Sequence, residues 1–172
     1  QKDITDSEQR LKLTLWGTGD ELWDLDLKSQ RMLRNNPLRI LKASNDEIVE
    51  NTTSLRDSVH PEDIATFEEA MFRCIKGVDE SVDVTLRVQS IHDEWHWIRI
   101  RGRVVERDER GHALRMSGTT GDVNEFKLHE IALAEINAQL EQRVAQRTEA
   151  LNKLNVDLRA SIDQLTETQE QL

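Results

Sequence analysis

The sequence predicts an α+β head built on an antiparallel sheet, followed by a long helical rod that pairs with a second copy of itself. Two observations carry this expectation. Residues 122–172 run for fifty-one positions without a Gly or Pro, in one heptad phase that never slips. Before them the chain orders as a helix, two strands, short helical turns, one longer helix and three strands, the pattern of a sheet with its helices set to one side. A helix of that length has no fold of its own to bury against, so its apolar seam calls for another helix.

Length and composition narrow the possibilities further. One ordinary domain plus the rod exhausts 172 residues. The net charge is −10, with ten acidic and five basic side chains in the rod. An acidic chain without a basic tract argues against nucleic acid as a partner. The single cysteine, Cys74, rules out an internal disulfide and fits a reducing, cytoplasmic compartment. No apolar run approaches the roughly 18 residues of a membrane span, and no signal peptide is visible, so no membrane contact is expected of these residues. The chain reads as a piece of a longer protein, itself either cytoplasmic or anchored in an inner membrane.

Residues 1–10 read as a linker or the end of a preceding unit. Thr5-Asp6-Ser7-Glu8 has capping-box spacing, and predicts a short helix through Leu11 and Leu15 that ends between Gly17 and Gly19. Glu21 to Leu27 alternates, with Leu22, Asp24 and Asp26 on one side and Trp23, Leu25 and Leu27 on the other, which predicts a strand. Arg31 to Asn35 is its expected partner across a Lys28-Ser29-Gln30 turn. Asn36 to Leu55 has no clean period and is read as short helical turns and loop. Pro61 suits a first helical position, with Glu62 and Asp63 near the positive end of the dipole. Ile64, Phe67, Met71, Cys74 and Ile75 then line one face, and Gly77 closes the helix. Three strands follow. Ser81 to Gln89 turns Val82, Val84, Leu86 and Val88 one way. Trp95 to Val105 turns Ile98, Ile100 and Val104 to the core, with Trp95, Trp97, Arg99, Arg101 and Arg103 opposite. Ala113 to Thr120 is the last.

Specific segments in this order resemble a PAS domain of the bacterial sensor type. They are Glu21-Leu22-Trp23-Asp24-Leu25-Asp26-Leu27, Val59-His60-Pro61-Glu62-Asp63, Trp95-His96-Trp97-Ile98-Arg99-Ile100-Arg101-Gly102, and the exit Gly118-Thr119-Thr120-Gly121-Asp122-Val123. The resemblance covers residues 11–123 and implies a five-stranded antiparallel sheet flanked by short helices. Two departures stand out. The usual Asp-Gly turn before Trp95 is Ile91-His92-Asp93-Glu94 here, implying a longer hairpin. The usual Asp-Ile-Thr exit reads Asp122-Val123-Asn124, which keeps the acid and changes the polar cap. Asp3-Ile4-Thr5 is similar to the same triplet ending an upstream unit. Residues 124–172 are similar to the linker helices of sensor histidine kinases, through Leu140-Glu141-Gln142-Arg143-Val144 and Arg147-Thr148-Glu149-Ala150-Leu151. Similar rods also precede diguanylate cyclases.

Candidate chemistry is sparse. Cys74 lies on an apolar helix face and is expected to pack in the core; the asparagine-cysteine-arginine signature of flavin-binding PAS domains is absent. His60 is read as a helix cap, since no second histidine stands at a ligand spacing, so haem is disfavoured along with flavin. His92 and His96, on a hairpin and strand, do not suit a metal. Arg99, Arg101 and Arg103 are expected to pair across strands with Asp24 and Asp26. No phosphate loop or catalytic constellation occurs, so no catalysis is expected of these residues. A cofactor or ligand, if present, is not identifiable from the residues; Leu25, Met71, Ile98 and Met116 point inward. In the rod, position a carries Asn137, Val144, Leu151, Leu158, Leu165 and Leu172, and position d carries Leu133, Leu140, Arg147, Leu154, Ser161 and Thr168. Asn137 and Arg147 weaken the seam in the manner of a register-setting switch, and Asp122 is the expected coupling point between head and rod. The expected whole is a parallel homodimer through residues 130–172. It relays a signal from the head to a downstream output domain in the same chain: a histidine kinase, alternatively a diguanylate cyclase, or else serves as a passive dimer scaffold.

Overall fold

The computed structural model describes residues 7, 9–11, 13–14, 17–42 and 48–171. Thr5, Glu8 and Leu15, part of the expected first helix, lie outside the described residues, as does the Asp3-Ile4-Thr5 triplet. Gln9, Arg10, Leu11, Leu13 and Thr14 are helical, and Gly19 turns the chain at φ +70°. The chain divides into two compact units, Gln1–Asn124 and Glu125–Leu172.

In the first unit, β1 (Glu21–Asp26) and β2 (Arg31–Asn35) form the expected hairpin, in register from Leu22↔Asn35 to Asp26↔Arg31. The Asp26 carboxylate accepts from the Lys28 and Ser29 amides at 2.9 and 2.8 Å, so the turn's backbone donors are satisfied locally. A third strand, β3 (Ile48–Val49), then pairs with β2. This corrects the expectation of five strands: the sheet has six, because a two-residue strand is too short to show a period. A single turn α1 (Thr53–Arg56) leads to α2 (Pro61–Ile75). Three long strands complete the sheet: β4 (Val82–Gln89), β5 (Trp95–Arg107) and β6 (Ala113–Asp122). The strand order is β3-β2-β1-β6-β5-β4, antiparallel throughout, so the first and last strands of the head meet at its centre.

The helix α2 forms where its caps require. The His60 ring accepts from the Glu62 amide at 3.2 Å, Pro61 stands at the first position, and Gly77, at φ +76°, donates to the Cys74 carbonyl at 3.0 Å. Its apolar face packs on the inner face of the sheet. Cys74 is 1% exposed in a cluster with Trp23, Leu25, Met32, Val82 and Met116, as its place on the helix predicts. Leu38, Leu41, Val59, Leu86, Val88 and Ile98 form a second cluster. Trp23 lies over the paired glycines Gly102 and Gly118, where a Cβ would fall 2.5 and 2.4 Å from the indole. Between β4 and β5 the chain makes the longer hairpin implied by the missing Asp-Gly. The Ser90 hydroxyl accepts from the His92 and Glu94 amides at 3.2 Å, and Asp93 takes the left-handed conformation at φ +61°.

The outer face of the sheet corrects the expected charge pairing. Arg99 bonds Asp83 on β4 at 2.6 and 2.8 Å, and Asp24 is held by Arg115 on β6 at 2.6 Å. Strand order decides this: β5 lies beside β4 and β6, so its arginines never meet β1. In the second unit, α3 (Asn124–Glu170) is one uninterrupted helix with no buried residue.

Candidate ligand cavity and exit junction

The inward side chains of β1 and β2, with α1, α2 and the middle strands, line a half-open cavity of about 440 Å³. Trp23, Leu25, Met32, Phe67, Met71, Ile98 and Ile100 are among its apolar lining. Leu25, Met71 and Ile98 were expected inward and line it; Met116, also expected inward, is 0% exposed within the core. One feature of the wall was not foreseen. Glu21 and Arg34, with side chains 4% and 3% exposed, form a two-pronged ion pair at 2.6 and 2.7 Å, and Glu21 also accepts from the Leu38 amide at 3.1 Å. The signal was present in the sequence. Glu21 is in phase with Trp23 and Leu25, and Arg34 with Met32, so the alternation that buries the apolar residues buries both charges. Arg56 and Glu68 form a second, half-exposed pair in the lining.

The exit from the head is held by side chains on three segments. The Asp122 carboxylate accepts from the Asn124 amide at 3.0 Å and contacts the His96 ring nitrogen at 2.8 Å. The Asn124 side-chain oxygen accepts from the Trp97 amide at 3.0 Å, and the Val123 amide donates to the Trp97 carbonyl at 3.1 Å. The first amides of a helix lack intrahelical partners, and Asp122 satisfies one of them. Thus Asp122 and Asn124 tie the end of β6 and the first residue of α3 to the start of β5. From sequence, His96 is considered only as a metal ligand and Asn124 only as a changed polar cap; neither is expected to hold the exit. The departure from Thr to Asn at 124 was the available signal, since an amide side chain can reach a strand backbone.

A second set of contacts joins β5 to α2. Arg87, on β4, bonds Asp63 at 2.8 and 2.9 Å and Glu62 at 2.9 Å, while its guanidinium lies 5.2 Å from the Trp97 ring centroid. The Arg87 side-chain hydrogen bonds, helped by its backbone amide at 2.8 Å, hold the Asp63 carboxyl below the usual carboxylate range against the opposing effect of burial. The His60 ring meets Trp95 edge-on, with centroids 4.4 Å apart. The N-terminus of α2 is therefore connected, contact by contact, to the strand that holds the exit.

Asn137 and Arg147 lie on α3 in the second unit, and Asp122 lies at the end of β6 in the first. The apolar seam residues Leu133, Leu140, Val144, Leu151, Leu154, Leu158 and Leu165 are each more than half exposed. No group of three His, Cys, Asp or Glu among the described residues is placed to hold a metal ion, and none of the described helices is long and apolar enough to cross a membrane.

A six-stranded antiparallel sheet folded around a cavity, with the chain leaving from a central strand into a helix, defines a class of small α+β sensor domain. The family model described as the PAS fold matches residues 35–120, half of the sequence, and the chain belongs to that family. Two solved histidine-kinase structures agree. A sensory box histidine kinase/response regulator from Burkholderia thailandensis is 26% identical with a TM-score of 0.67, over 77% of this chain and 98% of that one. A domain of a light and redox sensing histidine kinase, so described, from Haloarcula marismortui is 25% identical with a TM-score of 0.54, over 67% and 98%. The N-terminal domain of a diguanylate cyclase with PAS/PAC sensor from Marinobacter aquaeolei is more distant, at 17% identity and a TM-score of 0.49, over 63% and 98%. No curated protein sequence matches the chain.

Proposed function

We propose that this chain is the sensory and dimerisation module of a sensor histidine kinase. Occupancy of the cavity shifts α2 against the sheet, the contacts through Arg87 and Trp97 pass that shift to the exit, and α3 carries it to an output domain in the same chain. The observation that carries the reading is the exit junction, where the only covalent path from head to rod is clasped by Asp122 and Asn124. Support for a kinase output comes from the two relatives at 25 and 26% identity, both named as histidine kinases. The dimer runs through residues 130–172, where exposed Leu and Val recur at heptad spacing.

The coupling is tested at Asp122. Losing a cap-type hydrogen bond costs about 1 kcal/mol, too little to unfold the head but enough to move a near-balanced two-state switch several-fold. In the full-length kinase, Asp122→Ala is expected to change the autophosphorylation rate at least threefold while the melting temperature of the head shifts by only a few degrees. Unchanged autophosphorylation and unchanged stimulus response in a stable Asp122→Ala protein would sink the coupling role and leave a passive spacer.

A further inference from the structure

We propose that the cavity takes an uncharged, largely apolar molecule and discriminates against anions and cations of the same shape. This deepens the reading of the cavity as the sensory site and rests on it. The volume, about 440 Å³, lies in the range of small-molecule sites. Four charged side chains line it, and they neutralise one another in two pairs: Glu21 with Arg34, and Arg56 with Glu68. The first pair decides the chemistry. Both Glu21 oxygens are engaged by Arg34, one of them also by the Leu38 amide, and both side chains are almost wholly buried. A carboxylate entering the cavity would meet no uncommitted cation, and an ammonium no uncommitted carboxylate. A charged group carried into the apolar interior beside Glu21 and Arg34 must give up its hydration or break that buried ion pair, whose abandoned member would then stand uncompensated in an apolar wall. The polar groups Gln30 and Thr52 are likewise bonded to each other, at 2.9 Å. An uncharged molecule loses little on entering and covers Trp23, Leu25, Phe67, Met71 and Ile98.

The test uses the intact chain and the uncharged fluorophore N-phenyl-1-naphthylamine, which brightens in apolar surroundings. It is expected to bind saturably, one per chain, and to be displaced by 1-decanol at least tenfold more tightly than by decanoate or decylammonium. Decanoate or decylammonium competing as well as decanol would overturn the ligand class and leave the sensory cavity standing. Failure of all compounds to bind a folded chain would overturn both. Location is checked with Met71→Trp and, as a milder change, Leu25→Phe, each filling the cavity. Probe binding that persists unchanged in whichever of these folds, judged by circular dichroism, places the probe elsewhere and overturns the proposal. Glu21→Gln keeps the hydrogen-bonding shape but leaves the Arg34 charge unbalanced. It is expected to shift the decanol-to-decanoate preference at least tenfold toward decanoate, and an unshifted preference in a folded variant would also overturn the proposal.

Discussion

Gly118 shows how tightly one backbone position is determined. A Cβ there would lie 2.0 Å from the Arg101 carbonyl oxygen and 2.7 Å from the Gly102 Cα, both parts of the neighbouring strand. Backbone in the middle of a sheet cannot step aside as a flexible side chain can, so Gly118→Ala is expected to destabilise the head by about 3 kcal/mol, the upper end for overpacking. Urea unfolding followed by tryptophan fluorescence checks this, and a loss below about 0.5 kcal/mol would contradict it. Gly111, with nothing near its Cβ position but φ +83°, is the contrasting case of a glycine needed for its turn. Asp63 carries a prediction about pH. Its folded pKa is lowered, chiefly by the Arg87 hydrogen bond, so its stabilising contribution is complete above the ordinary carboxylate value near 4 and is lost as pH falls through the lower folded value. Asp63→Asn is therefore expected to cost about 1 kcal/mol at pH 6 and progressively less as pH falls below 4, giving a flatter acid limb in urea midpoints measured between pH 6 and pH 2. An equal cost at both ends would assign the effect to shape instead of charge.

Among the elements, α3 is held together differently from the rest. Every strand of the head has a paired neighbour and a buried face, whereas α3 has no buried residue, and its regularity rests on intrahelical bonds and side-chain propensity. The proposed dimer, through a seam of Leu and Val interrupted by Asn137 and Arg147, is expected to be a weak one. Replacing the polar residue at the a position, Asn137→Leu, is expected to lower the dimer dissociation constant at least tenfold, about 1.4 kcal/mol, and to admit higher oligomers. Sedimentation equilibrium measures both. A dissociation constant unmoved by this change would mean that Asn137 does not face the seam. The helix α2 makes the opposite case: its caps, His60 and Gly77, and its apolar face are local, and the element forms where they place it.

At the scale of the whole molecule, the head and the helix are expected to separate in their roles. The intact chain should sediment at about 40 kDa, twice its mass of 19.9 kDa. Ending the chain after Glu125 should leave a folded monomer, because all the sheet pairing and both core clusters lie before that residue. An intact chain that stays monomeric at every concentration would remove the dimer. A truncated head that still dimerises would locate the interface on the sheet.

Much of this protein was determined by sequence alone. Alternation at Glu21–Leu27, Val82–Val88 and Ile98–Val104 named the inward faces, the Pro61–Gly77 pattern bounded α2, and the heptads foretold a helix that runs to the end of the described chain. These features are local: each follows from a side-chain period of two or of 3.6, or from a backbone angle only certain residues adopt. The tertiary structure decided which elements lie side by side. It put β6 between β1 and β5, and so paired Asp24 with Arg115 and Arg99 with Asp83. It brought Glu21 to Arg34, thirteen residues apart, and His96 to Asp122, twenty-six apart. Periodicity says which way a side chain points. Only strand order and register say what it meets there, because those depend on the packing of the whole sheet and not on any one segment.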